Sequence, residues 1–168
     1  MTPDQLSKSG TEHGEQRALF AFLKVAQRHG FATAWAWAEA GDMTVFQSSP
    51  YAEANVEQVP ELDRIFAIPN GGLRDKITAS KLKHEGVKSG VPDVFFPLTT
   101  PRFAGLFIEM KRSADKATKR RAGVTSDTQD DWIAYLRRAS YAVSVCFDWR
   151  SAAKEVQSYV ELYRGTPQ

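Results

Sequence analysis

The feature that most constrains the fold is a pair of short apolar runs, each with an acidic residue at one end. The first run, Val94-Phe95-Phe96, directly follows Gly90-Val91-Pro92-Asp93. The second run begins at Gly105 and ends in Glu109-Met110-Lys111, with Glu109 sixteen residues after Asp93. Short apolar runs bounded by turn residues are typical of strands buried in a sheet. The sequence therefore predicts two neighbouring strands, over 91–98 and 105–111, joined by a Thr- and Pro-rich hairpin-like loop.

Helical and strand patterns flank this pair on both sides. An apolar stripe at helical spacing predicts a helix over 12–29, and Gly30 ends it. Residues 31–40 are predicted to form a second helix, although Trp35 and Trp37 could also line a strand. Further elements are expected as follows: a strand at 65–68 ended by a turn at 69–72, a helix at 77–85 closed by Gly86, a helix at 126–139, a strand at 141–147 and a helix at 150–163. This order predicts an α/β fold with a mixed sheet flanked by helices.

Length and composition narrow the class of protein. At 168 residues the chain is one domain, which we place at 12–165 after a frayed polar tail at 1–11. The one cysteine, Cys146, excludes an internal disulfide and a cysteine-based zinc site, and its apolar surroundings predict a buried side chain. No apolar run approaches the roughly 20 residues of a membrane helix, and no signal-peptide pattern is present, so we expect a cytoplasmic protein with no membrane partner.

The charged residues are unevenly distributed along the chain. Residues 39–63 carry six acids and no Lys or Arg, and we interpret 41–60 as a long surface connection. Residues 102–121 carry seven Lys or Arg against two acids, and 74–88 carry five against two. Both basic segments flank Asp93, Glu109 and Lys111, as contact with a phosphate backbone would require, although such runs are also typical of plain solvated loops.

The charged ends of the two central strands predict a metal site. Side chains two apart in a strand share a face, so Glu109 and Lys111 project together, and Asp93 reaches the same corner if the strands are antiparallel. Asp93, Glu109 and the carbonyl of Met110 offer the oxygen ligands that hard divalent ions prefer. A bound ion would activate a water, while Lys111 would orient it. The alternative is that Pro-Asp is a turn device and that Glu-x-Lys occurs by chance.

Two more residues are candidates for this site. Glu15 lies on the apolar face of the first helix, where a carboxylate must be paired, hydrated or bound to metal, unless the helix end frays and leaves it in water. Gln129 follows Ser126 by three residues, and this Ser-x-x-Gln spacing is explained by a capping box alone.

Four segments together resemble the virus-type replication-repair nuclease (VRR-NUC) branch of the PD-(D/E)xK nuclease superfamily. They are 68–72 with Arg74, then 85–93, then 107–112, then Ser126-x-x-Gln129, and the resemblance covers about 12–147. It implies a restriction-endonuclease-like fold and a hydrolytic site that uses Mg²⁺ or Mn²⁺. The implied catalytic residues are Asp93, Glu109, Lys111, Gln129 and Glu15, and the implied metal ligands are Asp93, Glu109, Met110 and Glu15.

The resemblance also implies a substrate. Stand-alone members of the branch resemble phage nucleases that act on branched DNA, so we expect an endonuclease for Holliday-junction-like DNA, a homodimer, and a phage or bacterial host cell. The side chains expected to contact DNA are Arg74, Lys88, Ser89, Arg112, Lys116, Lys119, Arg120 and Arg121. The alternatives are a single-strand, flap or restriction-type endonuclease on the same scaffold, or a non-catalytic DNA-binding protein. The acidic stretch 41–60 has no counterpart in the resemblance.

Overall fold

A mixed sheet forms the centre of the fold in the computed structural model of the chain. The structure describes residues 1–41, 58–69, 84–114 and 121–165. Within these residues the sheet has four strands in the order β1 (Phe66–Ala67), β2 (Val94–Phe96), β3 (Leu106–Met110) and β4 (Ala142–Cys146). β2 pairs antiparallel with β1 and β3, whereas β4 runs parallel to β3. The predicted mixed sheet and its antiparallel central pair are confirmed.

The helices of the described residues are α1 (Pro3–Ser7), α2 (Glu12–Ala40), α3 (Asp127–Arg138) and α4 (Trp149–Arg164), with one 3₁₀ turn at Pro60–Arg64. Gly30 interrupts α2 with φ 78° and ψ 161°, a conformation open to a residue without Cβ. The chain is helical on both sides of this kink, so the predicted end of the first helix is confirmed. The segment 31–40 is helical, and the strand alternative for Trp35 and Trp37 is wrong.

The period-2 alternation of β3 separates two faces of the sheet. Leu106, Ile108 and Met110 join the main core, which also contains apolar side chains of α2 and α4. The opposite face carries Phe107, whose ring stacks on Phe95 of β2 with centroids 4.3 Å apart. Since Glu109 has the same parity as Phe107, it also lies on this second face. α3 covers part of this face, and it buries Ile133 and Leu136 there.

The N-terminus differs from the frayed tail that we expected. Residues 3–7 form α1, which begins with a reciprocal capping box between Thr2 and Gln5. Asp4 then accepts hydrogen bonds from Trp149 Nε1 at 3.0 Å and from Arg150 at 2.8 Å. The prediction was wrong for two reasons. The Thr-x-x-Gln capping box at Thr2 and Gln5 was overlooked in a polar segment, and the residues of α4 that bind Asp4 are distant in sequence.

Two further expectations need correction. The strands are shorter than predicted, since β2 covers 94–96 and β3 covers 106–110. The end of the acidic connection is buried at one position: Gln58 and Pro60 are exposed, but Val59 is 1% exposed and its N–H donates to the Gln27 carbonyl at 3.1 Å. The rest of that connection (42–57), the turn at 70–72 and most of the predicted helix at 77–85 lie outside the described residues. Among the helices that are described, none has the length and apolarity needed to cross a membrane.

Candidate active site

The antiparallel pairing of β2 and β3 brings the two strand-end acids together. Asp93 directly precedes β2, whose Val94 is in register with Ile108. The Asp93 carboxylate accepts the backbone N–H of Met110 through Oδ2 at 2.8 Å. The Asp93 carbonyl accepts the N–H of Ile68 at 2.7 Å, which fixes the backbone beyond the end of β1. Asp93 is therefore held from both sides, beside the end of β3 that carries Glu109.

Glu109, Lys111 and Gln129 form a buried hydrogen-bonded cluster. Glu109 is 1% exposed and Lys111 is 5% exposed. The Lys111 ammonium lies 2.9 Å from Glu109 Oε1 and donates to Gln129 Oε1 at 2.9 Å. The Gln129 amide nitrogen also donates to Glu109 Oε1. The i, i+2 placement of Glu109 and Lys111 on one face, predicted from the strand pattern, agrees with this geometry.

One oxygen of Glu109 is left unpaired. Oε2 is buried, and among the described residues it has no hydrogen-bond partner. Burial raises the pKa of Glu109 to about 7; the Asp93 charge also raises it, and Lys111 opposes both. Burial likewise raises the pKa of Asp93, against the lowering effects of the Met110 N–H and Lys111. A buried carboxylate oxygen beside a second acid is a place where a cation would be stabilised.

The donor set fits a hard divalent ion. Asp93 and Glu109 supply carboxylate oxygens, and the Met110 carbonyl lies between Glu109 and Lys111 in the same strand. Across the described ranges no three His, Cys, Asp or Glu side chains converge into a closed metal cage. Two carboxylates and open coordination positions are typical of Mg²⁺ sites, where waters and substrate phosphates complete the shell.

The structure does not bring Glu15 into this cluster. Glu15 is 7% exposed, and its Oε2 accepts the N–H of Trp149 at 2.9 Å, at the start of α4. Burial raises the pKa of Glu15, and the nearby charges of Asp148 and Asp4 add to that effect. The Glu15 carboxylate thus binds a backbone N–H at the start of α4. This helix capping explains why Glu15 is buried, with no need for a role at the candidate site.

Glu12 is the acid of α2 that faces the cluster. Its charge raises the pKa values of both Asp93 and Glu109. A Cβ built on Gly123 would lie 3.2 Å from Glu12 Oε1 and 3.4 Å from Lys111 Cδ, so both side chains line the same spot. Sequence reasoning missed Glu12 because it is off the apolar stripe; its place in the first turn of α2 was the available signal.

Gln129 has both of the roles considered for it. Ser126 and Gln129 make a reciprocal capping box at the start of α3, so the predicted cap is confirmed. Gln129 Oε1 accepts the Ser126 N–H at 3.0 Å and the Lys111 ammonium at 2.9 Å. The helix start and the cluster thus share one side chain.

The residues predicted to contact DNA divide into two groups. Lys88, Ser89, Arg112 and Arg121 are all exposed. The carbonyl of Arg112 accepts the N–H of Gly123 at 2.9 Å. This hydrogen bond brings the chain at 112 and the chain at 123 together near Lys111. The others, Arg74, Lys116, Lys119 and Arg120, lie outside the described residues.

The contact between the 88–90 segment and α3 was also missed. Trp132 Nε1 donates to the Ser89 carbonyl at 3.1 Å. Gly90 has φ 85°, and a Cβ there would lie 2.7 to 2.9 Å from three atoms of Thr128. Gly90 was expected only as part of a motif, and the sequence carries no signal of its partner on α3.

Both the sequence and the fold of the chain are similar to those of known proteins. The VRR-NUC domain model matches residues 38–147, which contain Asp93, Glu109, Lys111 and Gln129. A solved structure described as a VRR_NUC domain protein aligns with a TM-score of 0.55 at 19% identity, covering 88% of each chain. No curated protein matches the sequence. The family match spans well over half of the chain and implies a DNA-processing function of the nuclease type. The chain belongs to the VRR-NUC domain family.

Proposed function

We propose that the protein is a divalent-metal-dependent endodeoxyribonuclease that hydrolyses phosphodiester bonds in structured, branched DNA. The observation that carries this proposal is that Asp93 lies beside the buried cluster of Glu109, Lys111 and Gln129. In that cluster Glu109 Oε2 has no hydrogen-bond partner among the described residues. A non-catalytic DNA-binding protein has no use for two acids and a lysine held together at one corner of the sheet. Nuclease chemistry gives each of these groups a function.

Asp93, Glu109 and the Met110 carbonyl would hold Mg²⁺ or Mn²⁺, with Glu12 close enough to add charge or bind a ligand water. When bound, the ion would lower the pKa of a water and neutralise charge on the phosphate. Glu15 has no part in this proposal, because its carboxylate is committed to α4.

The chain's own residues would orient the reaction. Lys111 is placed to hold the attacking water and to stabilise the charge that develops on the phosphate oxygens. Gln129 Oε1 accepts a hydrogen bond from the Lys111 ammonium at 2.9 Å and so ties it to α3. Asp93 is kept in position by the Met110 N–H at 2.8 Å. Little reorganisation of these groups would then be needed during hydrolysis.

Branched DNA is the substrate that we favour. The exposed cations Lys88, Arg112 and Arg121 flank the cluster and would contact phosphates, which position a nucleic acid without reading its sequence. A protein that relies on such contacts would select DNA by shape. In a homodimer, two such sites would make paired cuts across a four-way junction. Phage-infected or bacterial cytoplasm would supply this substrate.

The deciding experiment is a cleavage assay with Mg²⁺ or Mn²⁺ on four-way junction, flap, single-stranded and linear duplex DNA. We expect the junction to be cut fastest, by symmetric paired nicks, and EDTA to stop all cleavage. Faster cutting of flap or single-stranded DNA would replace the junction assignment with the alternative endonuclease. Absence of cutting on every substrate, at protein concentrations that shift DNA in a gel, would refute the enzyme.

A further inference from the structure

An exposed aromatic pair lies on α3 beside the candidate active site. The rings of Trp132 and Tyr135 meet edge to face with centroids 5.9 Å apart. Trp132 is half-buried, whereas Tyr135 is 54% exposed. The two residues are three apart on the helix, so they occupy one flank, next to the face that buries Ile133 and Leu136. The core of the protein makes no use of the Tyr135 ring.

Two connections hold this pair beside the candidate site. Trp132 is three residues from Gln129, which contacts both Glu109 and Lys111. On the other side, the Trp132 indole donates to the Ser89 carbonyl at 3.1 Å, four residues before Asp93. A rise of about 1.5 Å per residue puts Tyr135 about 9 Å from Gln129 along the helix axis.

The surrounding charges suit a nucleic-acid strand only in part. Lys88 is exposed next to Ser89, and Arg138 is exposed one turn beyond Tyr135. α3 also exposes Asp130 and Asp131, so this surface is not a simple basic patch. Attraction to phosphates would come from Lys88 and Arg138, and the rings would have to contribute by stacking. Aromatic side chains next to cations are the usual way in which proteins hold single-stranded nucleic acid.

We propose that Trp132 and Tyr135 form a stacking surface for an unpaired base of the DNA strand whose phosphate lies at Asp93 and Glu109. The inference rests on the proposed nuclease function and adds a specificity determinant to it. Both faces of a base in a duplex are already stacked, so the exposed Tyr135 ring is available only to an unpaired base. The surface would therefore favour DNA with an unpaired nucleotide near the cut, as at a flap or at a branch point whose base pairs open on binding.

The test is DNA binding without metal, measured by fluorescence anisotropy in EDTA, so that cleavage does not enter. Wild type, Tyr135→Ala and Tyr135→Phe are compared on a single-stranded oligonucleotide and on a duplex of the same sequence. We expect Tyr135→Ala to weaken single-strand binding about 10-fold, within the range for stacking one base, with duplex binding unchanged. Tyr135→Phe keeps the ring and should stay within about 2-fold of wild type.

Leu162→Ala is the matched control. Leu162 is 41% exposed and lies on α4, not on the α3 flank that carries Trp132 and Tyr135, so its loss should leave both affinities unchanged. A second readout uses 2-aminopurine in the single strand: wild type should quench its fluorescence on binding, and Tyr135→Ala should quench it less.

Three results would overturn the stacking surface. The first is that Tyr135→Ala and wild type bind the single strand with equal affinity, and the second is that Tyr135→Ala loses affinity for single strand and duplex alike. The third is that Tyr135→Ala changes the sedimentation coefficient of the free protein, which would show that the pair is a protein–protein interface. Wild type that stacks the base but never cleaves DNA with metal would instead refute the nuclease. The two failures are thus separable.

Discussion

At the residue scale, the properties of the candidate site depend on how Glu109 uses its two oxygens. Oε1 is bound by both Lys111 and Gln129, whereas Oε2 is buried with no partner in the described part of the chain. Lys111 thus neutralises one side of the carboxylate and leaves the other without a partner, while the charge of Asp93 is near enough to raise the pKa of Glu109. A cation between the two acids would satisfy both, and this need is the physical reason for placing a metal there.

Asp93→Asn and Lys111→Ala test the cluster directly. Each should lower the cleavage rate at least about 100-fold, because each removes a group that binds the ion or stabilises charge in the transition state. DNA affinity should remain within a few fold, since neither side chain is an exposed phosphate contact. Single-turnover kinetics and gel shifts measure the two effects. Lys154→Ala, on the exposed side of α4, is the control; retained turnover in both site variants would mean that the site lies elsewhere.

Glu12→Gln and Glu15→Gln compare the two acids of α2. Glu12→Gln should reduce cleavage and raise the metal concentration required, because Glu12 acts electrostatically on Asp93 and Glu109. Glu15→Gln should leave cleavage unchanged, since an amide oxygen can still accept the Trp149 N–H. Metal titrations of the cleavage rate are the measurement. Loss of activity in Glu15→Gln alone would return Glu15 to the site and remove Glu12 from it.

Glu15 should also make stability depend on pH. Its pKa is raised above the ordinary 4.5, chiefly by burial, so the folded state favours the protonated form. The contribution of Glu15 to stability is therefore complete below about pH 4.5 and is lost as pH rises through the raised pKa. Asp4 and Asp148 oppose its ionisation, although Arg150 pairs with Asp4.

Urea unfolding of wild type and Glu15→Gln at several pH values measures this effect. We expect the stability of the Gln variant relative to wild type to increase from pH 5 to pH 8. A difference that is constant or falls over this range would contradict the assignment.

At the element scale, the site depends on how α3 meets the segment before β2. The capping box places Gln129 at the cluster, and the close approach of Gly90 to Thr128 sets the distance between α3 and the Asp93 segment. A side chain at Gly90 would have to displace backbone atoms of Thr128, because the nearest contacts are 2.7 to 2.9 Å. Moving α3 would carry Gln129 away from Lys111.

Comparing Gly90→Ala with Gly86→Ala distinguishes the effect of this packing contact from the effect of backbone strain. Both glycines have positive φ, 85° and 94°, so both substitutions strain the backbone by about 1 kcal/mol. Only Gly90 has neighbours that a Cβ would strike, since a Cβ on Gly86 meets nothing within 4 Å. Gly90→Ala should therefore lose more stability in thermal unfolding and should cut DNA at least about 10-fold more slowly, since small displacements of catalytic groups cost this much. Equal behaviour of the two variants would show that the α3 contact is unimportant.

At the scale of the whole molecule, the site joins elements from both ends of the chain. Asp93 directly precedes β2, Glu109 lies in β3 and Lys111 directly follows it, α3 supplies Gln129, and the first turn of α2 supplies Glu12. The main core between the sheet and α2 and α4 fixes the helix positions, while α3 closes the other face. Binding of an ion at this meeting point should stabilise the fold as a whole.

Metal addition tests that coupling. At about 100 times its Kd, an ion should add about 2.7 kcal/mol of stability, which corresponds to about 5 to 10 °C in Tm for a domain of this size. The shift should be absent in Glu109→Gln, which loses a charged ligand, and present in Asp131→Asn, which changes an exposed acid on α3. Thermal unfolding with Mg²⁺, Mn²⁺ or EDTA measures it. An equal shift in Glu109→Gln would place the ion at another site.

The sequence by itself determined the central strands, their acidic ends and the order of the flanking elements, because strand alternation and helix caps are local patterns. It therefore predicted that Glu109 and Lys111 share one face, which agrees with their contact, and that Asp93 reaches the same corner. Only the tertiary structure decided which acid of α2 faces them: the apolar stripe pointed to Glu15, whereas Glu15 binds the start of α4 and Glu12 lies beside Lys111. The unpaired oxygen of Glu109 and the contact of Trp132 with Ser89 also depend on groups far apart in the chain. Such contacts follow from how the helices pack on the sheet, which no short stretch of sequence specifies.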